Sequence, residues 1–358
     1  SDLVVDGTGE DTVEGSAGND TLVGGGSDDT TTVVYNSFSG SAIDGYVSGA
    51  TVFLDIDDDG VLDSGEDWTT TDSTGNFTLS STSTSGTLIM YGGTDISTGK
   101  SFVGTMKAPS DATVITPLTT MMQNLISTGQ TVAQAQANVA AALGISNPPA
   151  DLLSFDPVAV AAGTTAGDSA QATAVLAAAI KMQSIVAQMS SLLGAVGVSQ
   201  TDAAAAAYSA LATMASGGST LTVNSANMTS LISSVASATG VSGANLTTVT
   251  NAASSVATMM VNIAGSIDSA ASSSLGNILF DLSKMALVAA NAATAIGTNA
   301  ANPATLGTMA AGDYGANIQS TIETAGANLP TSSVGGVGSD VLITGGRVNA
   351  GDTAVNLP

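Results

Sequence analysis

The stretch DIDDDGVLDSGE, Asp55 to Glu66, places carboxylates at positions 1, 3, 5, 9 and 12 of a twelve-residue loop. Asp55, Asp57 and Asp59 hold the first three of these, Asp63 holds the ninth, where a ligand often acts through water, and Glu66 can close the set bidentately. Gly60 permits the sharp turn and Val61 offers its backbone carbonyl. A donor set this rich in hard oxygens suits Ca2+, because Mg2+ keeps several of its waters and takes fewer protein oxygens. So many like charges in one loop repel one another unless a cation neutralises them. The preceding residues, GATVFL, read as a strand, so the expected role of the ion is to rigidify: a sensor loop works by swinging two helices apart.

A second pattern occupies the two ends of the chain. Asp2, Asp11, Asp20 and Asp29 stand nine residues apart, as do Val4, Val13 and Leu22. The best front copy is GSAGNDTLV, Gly15 to Val23, and at the far end GGVGSDVLI, Gly335 to Ile343, fits GGxGxDxUx at every specified position, U being a large apolar residue. Glycine permits the tight turn and frees carbonyl oxygens, and each Asp adds a carboxylate. These segments, residues 1–31 and 335–346, resemble the calcium-binding β-roll of repeats-in-toxin proteins, a bacterial family exported without a cleaved N-terminal signal. The resemblance implies calcium ligands at Gly9, Asp11, Gly18, Asp20, Gly335, Gly338 and Asp340. It departs from the family at Ser27, where a glycine is expected, and at Thr31, an apolar position.

The acidic loop lies inside a region of short β-rich runs separated by turns. TVFLDI and NFTLSS read as strands, joined through the loop, WTTT and the turn DSTGN. A strand entering Asp55, Asp57, Asp59 and Gly60, followed by a turn of Asp72, Gly75 and Phe77, resembles the B-type, prealbumin-like sandwich modules of bacterial surface proteins. That resemblance covers residues 39–105 and implies a small immunoglobulin-like or prealbumin-like β-sandwich carrying an EF-hand-like loop.

Beyond it the composition changes: 19 of the 29 acidic residues precede Val114, and Ala, Ser, Leu, Met and Val then dominate. Thr116 caps and Pro117 opens a predicted helix. Further helices are expected over about 132–143, 168–193, 201–215, 225–239, 244–263, 274–296 and 318–324, with SNPPADLLSFDP as a loop. The expected fold class is therefore α+β and multidomain: β-roll-like repeats over 1–38, the sandwich over 39–113, an all-α bundle over 114–330 and a short β tail over 331–358. Lys181 and Lys284 read as surface residues of amphipathic helices.

Composition narrows the function. The chain of 358 residues has no Cys and no His, which removes thiolate nucleophiles, histidine bases and Ser-His-Asp triads. Asp151, Asp156, Asp168, Asp202, Asp268 and Asp281 are scattered over loops and helix ends, where capping explains them better than catalysis. No enzyme is expected. A net charge of −24 repels nucleic acid and anionic membranes. Uninterrupted apolar runs stay short of a membrane span, so no membrane insertion is expected, and no basic and apolar leader is visible. The expectation is a structural subunit of a calcium-stabilised extracellular or cell-surface assembly, a filament, sheath or surface layer, whose partners are copies of itself. The alternative is an adhesin segment that binds a surface glycan, for which Tyr35, Tyr46, Trp68 and Tyr91 are the nearby Trp and Tyr residues.

Overall fold

The computed structural model describes residues 3–5, 12–14, 21–23, 30–32, 35–272 and 277–330. It is mixed: small β-sheets form the N-terminal part and ten α-helices, among the described residues, form the rest.

Four three-residue strands come first, β1 (Leu3–Val5), β2 (Thr12–Glu14), β3 (Thr21–Val23) and β4 (Thr30–Thr32). They pair in parallel, β1 with β3 and β2 with β4, so that Leu3 faces Thr21 and Thr12 faces Thr30. Each strand thus meets the one two repeats later. Parallel strands require a connection of a dozen or more residues, and the skipped repeat supplies it. The nine-residue period therefore becomes two separate ladders, one of odd and one of even repeats.

The next ten strands are β5 (Asn36–Ala42), β6 (Val47–Ser48), β7 (Thr51–Asp55), β8 (Trp68–Thr70), β9 (Asn76–Ser81), β10 (Thr87–Tyr91), β11 (Thr94–Asp95), β12 (Lys100–Ser101), β13 (Thr105–Pro109) and β14 (Val114–Ile115). They form three sheets, ordered β13-β10-β7-β8, β14-β5-β9 and β12-β11-β6. The predicted strands TVFLDI and NFTLSS are β7 and β9. β7 is held between β10 and β8, and Val52, Phe53, Leu54 and Asp55 are all buried. β9 instead alternates, with Phe77, Leu79 and Ser81 inward and Asn76, Thr78 and Ser80 outward, the pattern of a strand covered on one face.

The helices are α1 (Pro117–Ser127), α2 (Val132–Ala142), α3 (Pro157–Ala161), α4 (Ser169–Gly194), α5 (Gln200–Ala215), α6 (Ser225–Ala238), α7 (Gly243–Ala271), α8 (Ile278–Asn299), α9 (Pro303–Ala311) and α10 (Ile318–Ala327). The Thr116 hydroxyl accepts from the Thr119 amide and Pro117 opens α1, as the sequence implies. A π-helical turn over Gly312–Ala316 links the last two helices. α9 is absent from the predicted segments, although Asn302 caps it and Pro303 begins it in the same way.

α4 is the central helix. Ala177, Ala178, Ala179, Met182, Ile185 and Val186 surround its axis and all are buried, which is what a helix enclosed on every side requires. α4 and α8 are long and apolar enough on average to cross a membrane, a property hidden from a search for uninterrupted runs. The most apolar window of α4 is 83% buried within the protein, as a core helix is.

Lys181 and Lys284 are less exposed than expected. Lys181 pairs with Asp268 of α7 and Lys284 with Asp281, their side chains 16% and 20% exposed. Their aliphatic stems cover apolar surface while the ammonium groups find carboxylates.

One set of mutually packed buried side chains runs from Ala42 to Ala325, so sheets and helices share a core. Gly40 marks the crossing. Its backbone lies against Thr113, and a Cβ there would stand 2.3 Å from the Thr113 carbonyl oxygen. Ser41 donates its amide to that same oxygen at 3.0 Å. The G40A variant is expected to lose about 2 kcal/mol of unfolding free energy in urea, as overpacking against an unyielding backbone does. Wild-type stability for G40A would show that the crossing relaxes freely.

Candidate metal centre

The acidic stretch is the connection between antiparallel strands. β7 enters it and β8 leaves it, with Phe53 opposite Trp68. Leu54 donates its amide to the Asp67 carbonyl at 3.1 Å, closing the base of the loop. Inside, carboxylates satisfy the turning backbone. Asp55 Oδ2 accepts from the Gly60 amide at 3.0 Å, Asp59 Oδ1 from the Val61 amide at 2.7 Å, and Asp57 Oδ1 from the Asp59 amide at 3.3 Å. Gly60 has φ +81°, a left-handed conformation that glycine adopts without a Cβ clash.

Ligand atoms of Asp55, Asp57 and Asp59 all lie within 4.8 Å of one another, so the three residues can share one ion. Glu66, expected to close the set, is not among the residues whose ligand atoms converge; its Oε1 accepts from the Ile56 amide at 2.7 Å and its Oε2 from the Asp63 amide at 3.1 Å. Asp63 and Val61 lie on the exposed side of the loop.

Asp55 carries the decisive observation. It is fully buried, and its Oδ1 has no hydrogen-bond donor. Burial raises its pKa, the Gly60 amide lowers it, Glu66 raises it and Lys107 lowers it. A buried carboxylate oxygen without a donor is costly. A divalent cation among Asp55, Asp57 and Asp59 removes that cost and the mutual repulsion together. The residues present therefore fit Ca2+, and these three would hold it.

The loop is also tied to the helices. Asp58, at φ +61°, accepts from the Thr87 hydroxyl at 2.9 Å, and that hydroxyl accepts from Gln123 Nε2 of α1 at 2.9 Å. Thr87 and Gln123 are both buried, so the loop position is read through a polar chain into the first helix.

A second acidic pair escaped the sequence reading. Asp95 ends β11 and is buried, its Oδ1 accepting from the Ser97 amide and hydroxyl at 2.8 Å each and its Oδ2 from the Thr98 hydroxyl at 2.6 Å. Asp44 comes beside it because β6 pairs with β11 through a turn in which Gly45 and Tyr46 both have positive φ. A Cβ on Gly45 would meet Asp95 Oδ1 at 2.6 Å, so only glycine allows this approach. Burial pushes the Asp95 carboxyl up to about 6, against the hydroxyl and amide donors of Ser97 and Thr98. Burial and the neighbouring Asp95 likewise raise the Asp44 carboxyl well above its ordinary value. The two carboxylates are 51 residues apart in sequence, and no local spacing announces them.

Two of the scattered acids take the capping places expected of them, and two form ion pairs that the sequence does not announce. Asp156 caps α3 and Asp168 caps α4, while Asp268 and Asp281 pair with lysines. Of the ligands implied at the chain ends, Gly9, Asp11, Gly18, Asp20, Gly335, Gly338 and Asp340 lie outside the described residues.

Residues 1–31 match the family of the RTX calcium-binding nonapeptide repeat, in four copies. The similarity is confined to this N-terminal segment. No curated protein and no solved structure matches the chain. Calcium is thus supported twice, by repeats of a calcium-binding type and by the Asp55 cluster.

Asp55→Asn keeps an acceptor for the Gly60 amide but removes the buried charge. At calcium about 100-fold above the loop's Kd, the wild type should gain about 2.7 kcal/mol from this site. Asp55→Asn should melt below wild type in calcium and no lower than wild type in chelator, because the uncompensated charge is gone. Parallel shifts of both proteins in both buffers would dismiss the site.

For Asp95, a folded pKa near 6 against an ordinary value of 3.8 means that the native state binds more protons between those values. Its contribution to stability is then greatest below about pH 4 and declines as pH rises through 6. Lowering pH from 7 to 5 in saturating calcium should shift the stability difference between wild type and Asp95→Asn in favour of wild type. Carboxyl carbon NMR checks the midpoint directly, and titration near 4 would refute it.

Proposed function

We propose that this chain is a secreted structural unit of a calcium-stabilised bacterial extracellular assembly, joined to copies of itself through its terminal β segments. The observation that carries the reading is the pairing of β1 with β3 and of β2 with β4. Among the described residues each of these parallel ladders has only two strands. Exposed strand edges are templates for another chain. The full nonapeptide copy Gly335–Ile343, far away in sequence, supplies a segment of the same kind. A contact between unlike surfaces of neighbouring copies propagates into open filaments.

The remaining parts suit this role. The strands from β5 to β14 serve as the prealbumin-like module, stapled by the loop ion, and the Ala/Ser-rich bundle is the spacer behind it. The chain has no enzymatic role in this reading, and the repeat type supports export without a cleaved leader. A second reading, adhesion, has one observation in its favour. Ile56 and Val61 within the metal loop and Trp68 just after it, at 46%, 57% and 58% exposure, offer apolar side chains that a glycan or other surface can meet. Tyr46, by contrast, is buried and donates its hydroxyl to Asp156, which removes it from the glycan candidates.

Electron microscopy and light scattering of the purified chain test the assembly. Filaments or sheets should grow with protein concentration in calcium and disperse in chelator, and removal of residues 331–358 should leave folded monomers. Monodisperse wild-type monomers at every calcium and protein concentration would overturn the reading, and glycan-array binding by such monomers would replace it with adhesion.

A further inference from the structure

We propose that the cavity between α4, α8 and the loop from Thr98 to Val103 binds a small organic ammonium ion, with Asp44 and Asp95 receiving the nitrogen and the helix walls receiving the hydrocarbon. The cavity has a volume of about 630 Å³, within the range of small-molecule sites. Its walls are made by small side chains on the two most closely packed long helices, Ala187 and Gly194 on α4 and Ala290, Ala293 and Gly297 on α8, with Phe102 at one side. These residues leave a space where larger ones would fill it, with the polar side chains of Ser184, Ser191, Thr294 and Thr298 between the apolar ones.

The two carboxylates line the same cavity. Lys100 lies on the wall of the same cavity but forms no ion pair with either carboxylate within 4 Å; the ion pairs among the described residues are Lys181 with Asp268 and Lys284 with Asp281. Asp95 is held by Ser97 and Thr98 and retains acceptor capacity on Oδ2. Asp44 makes no side-chain hydrogen bond to any described residue. Its carboxylate is set against the cavity by the Gly45–Tyr46 turn, and the Tyr46 hydroxyl anchors that turn to Asp156 at 2.7 Å. Burial raises the carboxyl pKa values of this pair, so a bound ammonium would compete with a proton for the same oxygens.

The walls decide between cations. A metal ion takes six or more oxygen ligands and gains nothing from alanine walls, whereas an ammonium with a hydrocarbon body uses both ends of the cavity. The chain's net charge of −24 draws cations and repels anions.

Titration calorimetry of the full chain in saturating calcium, with n-hexylammonium as the probe, tests the site. One saturable site per chain is expected, weakened about tenfold or more by Asp44→Asn and for neutral 1-hexanol. Ala290→Phe, which fills the wall, should remove binding, while Asp111→Asn, which removes an exposed carboxylate elsewhere, should leave it unchanged. Absence of saturable binding to wild type, equal binding of hexanol, or equal weakening by Asp111→Asn overturns the proposal. Circular dichroism checks that each variant is folded. If Asp44→Asn does not fold, the comparison of hexylammonium with hexanol on wild type decides the role of charge. Assembly does not enter this measurement, so its outcome is independent of the filament reading.

Discussion

A carboxylate buried at the end of a central strand is the constraint around which the β-rich part is arranged. Asp55 lies in the register of β7 opposite Thr87 of β10, so its backbone cannot move without opening the sheet. Its Oδ1 has no donor, and Asp57 and Asp59 bring further negative charge toward it. Protein groups leave that electrostatic cost standing, and a divalent cation removes it. The loop's other hydrogen bonds, from Gly60, Val61 and Ile56 to Asp55, Asp59 and Glu66, pre-order the carboxylates before any ion arrives. Preordering matters because the ion then spends less of its binding free energy on conformational entropy.

That local order reaches the helices through polar ties that run inward from the loop. Asp58, Thr87 and Gln123 connect the loop to α1. Gln183 of α4 donates to the Val103 carbonyl at 3.1 Å and accepts from the Tyr208 hydroxyl of α5 at 2.6 Å. Each tie joins elements that a purely apolar contact would hold with less directional definition, since a buried hydrogen bond is lost outright when its partners shift. The helices bury large side chains such as Met182, Ile185, Tyr208 and Met260 among many Ala and Ser residues. Directional bonds at the sheet boundary fix where the bundle sits, and the shared apolar core makes the arrangement favourable.

Several elements were legible because their signals are local. The repeat period gave the strand spacing at the N-terminus, and the cap-and-proline pair at Thr116 and Pro117 gave the start of α1. The same grammar at Asn302 and Pro303 begins α9, a helix of nine residues followed at once by Gly312. α7 runs to Ala271, beyond the expected end near 263: Gly265 sits inside it with open space around the position where a side chain would be, and such a glycine weakens a helix without ending it. The burial of Lys181 and Lys284 was not legible, since the covering partners come from packing and from the aliphatic stems themselves.

The sequence by itself determined the ligand chemistry of the loop, because all its carboxylates lie within twelve residues and their spacing alone sets which can converge. It likewise determined the nine-residue period and the change from β-rich to helical composition. Tertiary structure decided that the loop bridges two antiparallel strands, that Asp55 is buried with an unmet acceptor, and that alternate repeats pair into separate ladders. It alone brought Asp44 to Asp95 at a cavity between helices from much later in the chain. The physical reason is range: hydrogen-bonding turns and periodicity act over a few residues, whereas burial and the meeting of like charges depend on which distant segments the apolar core draws together.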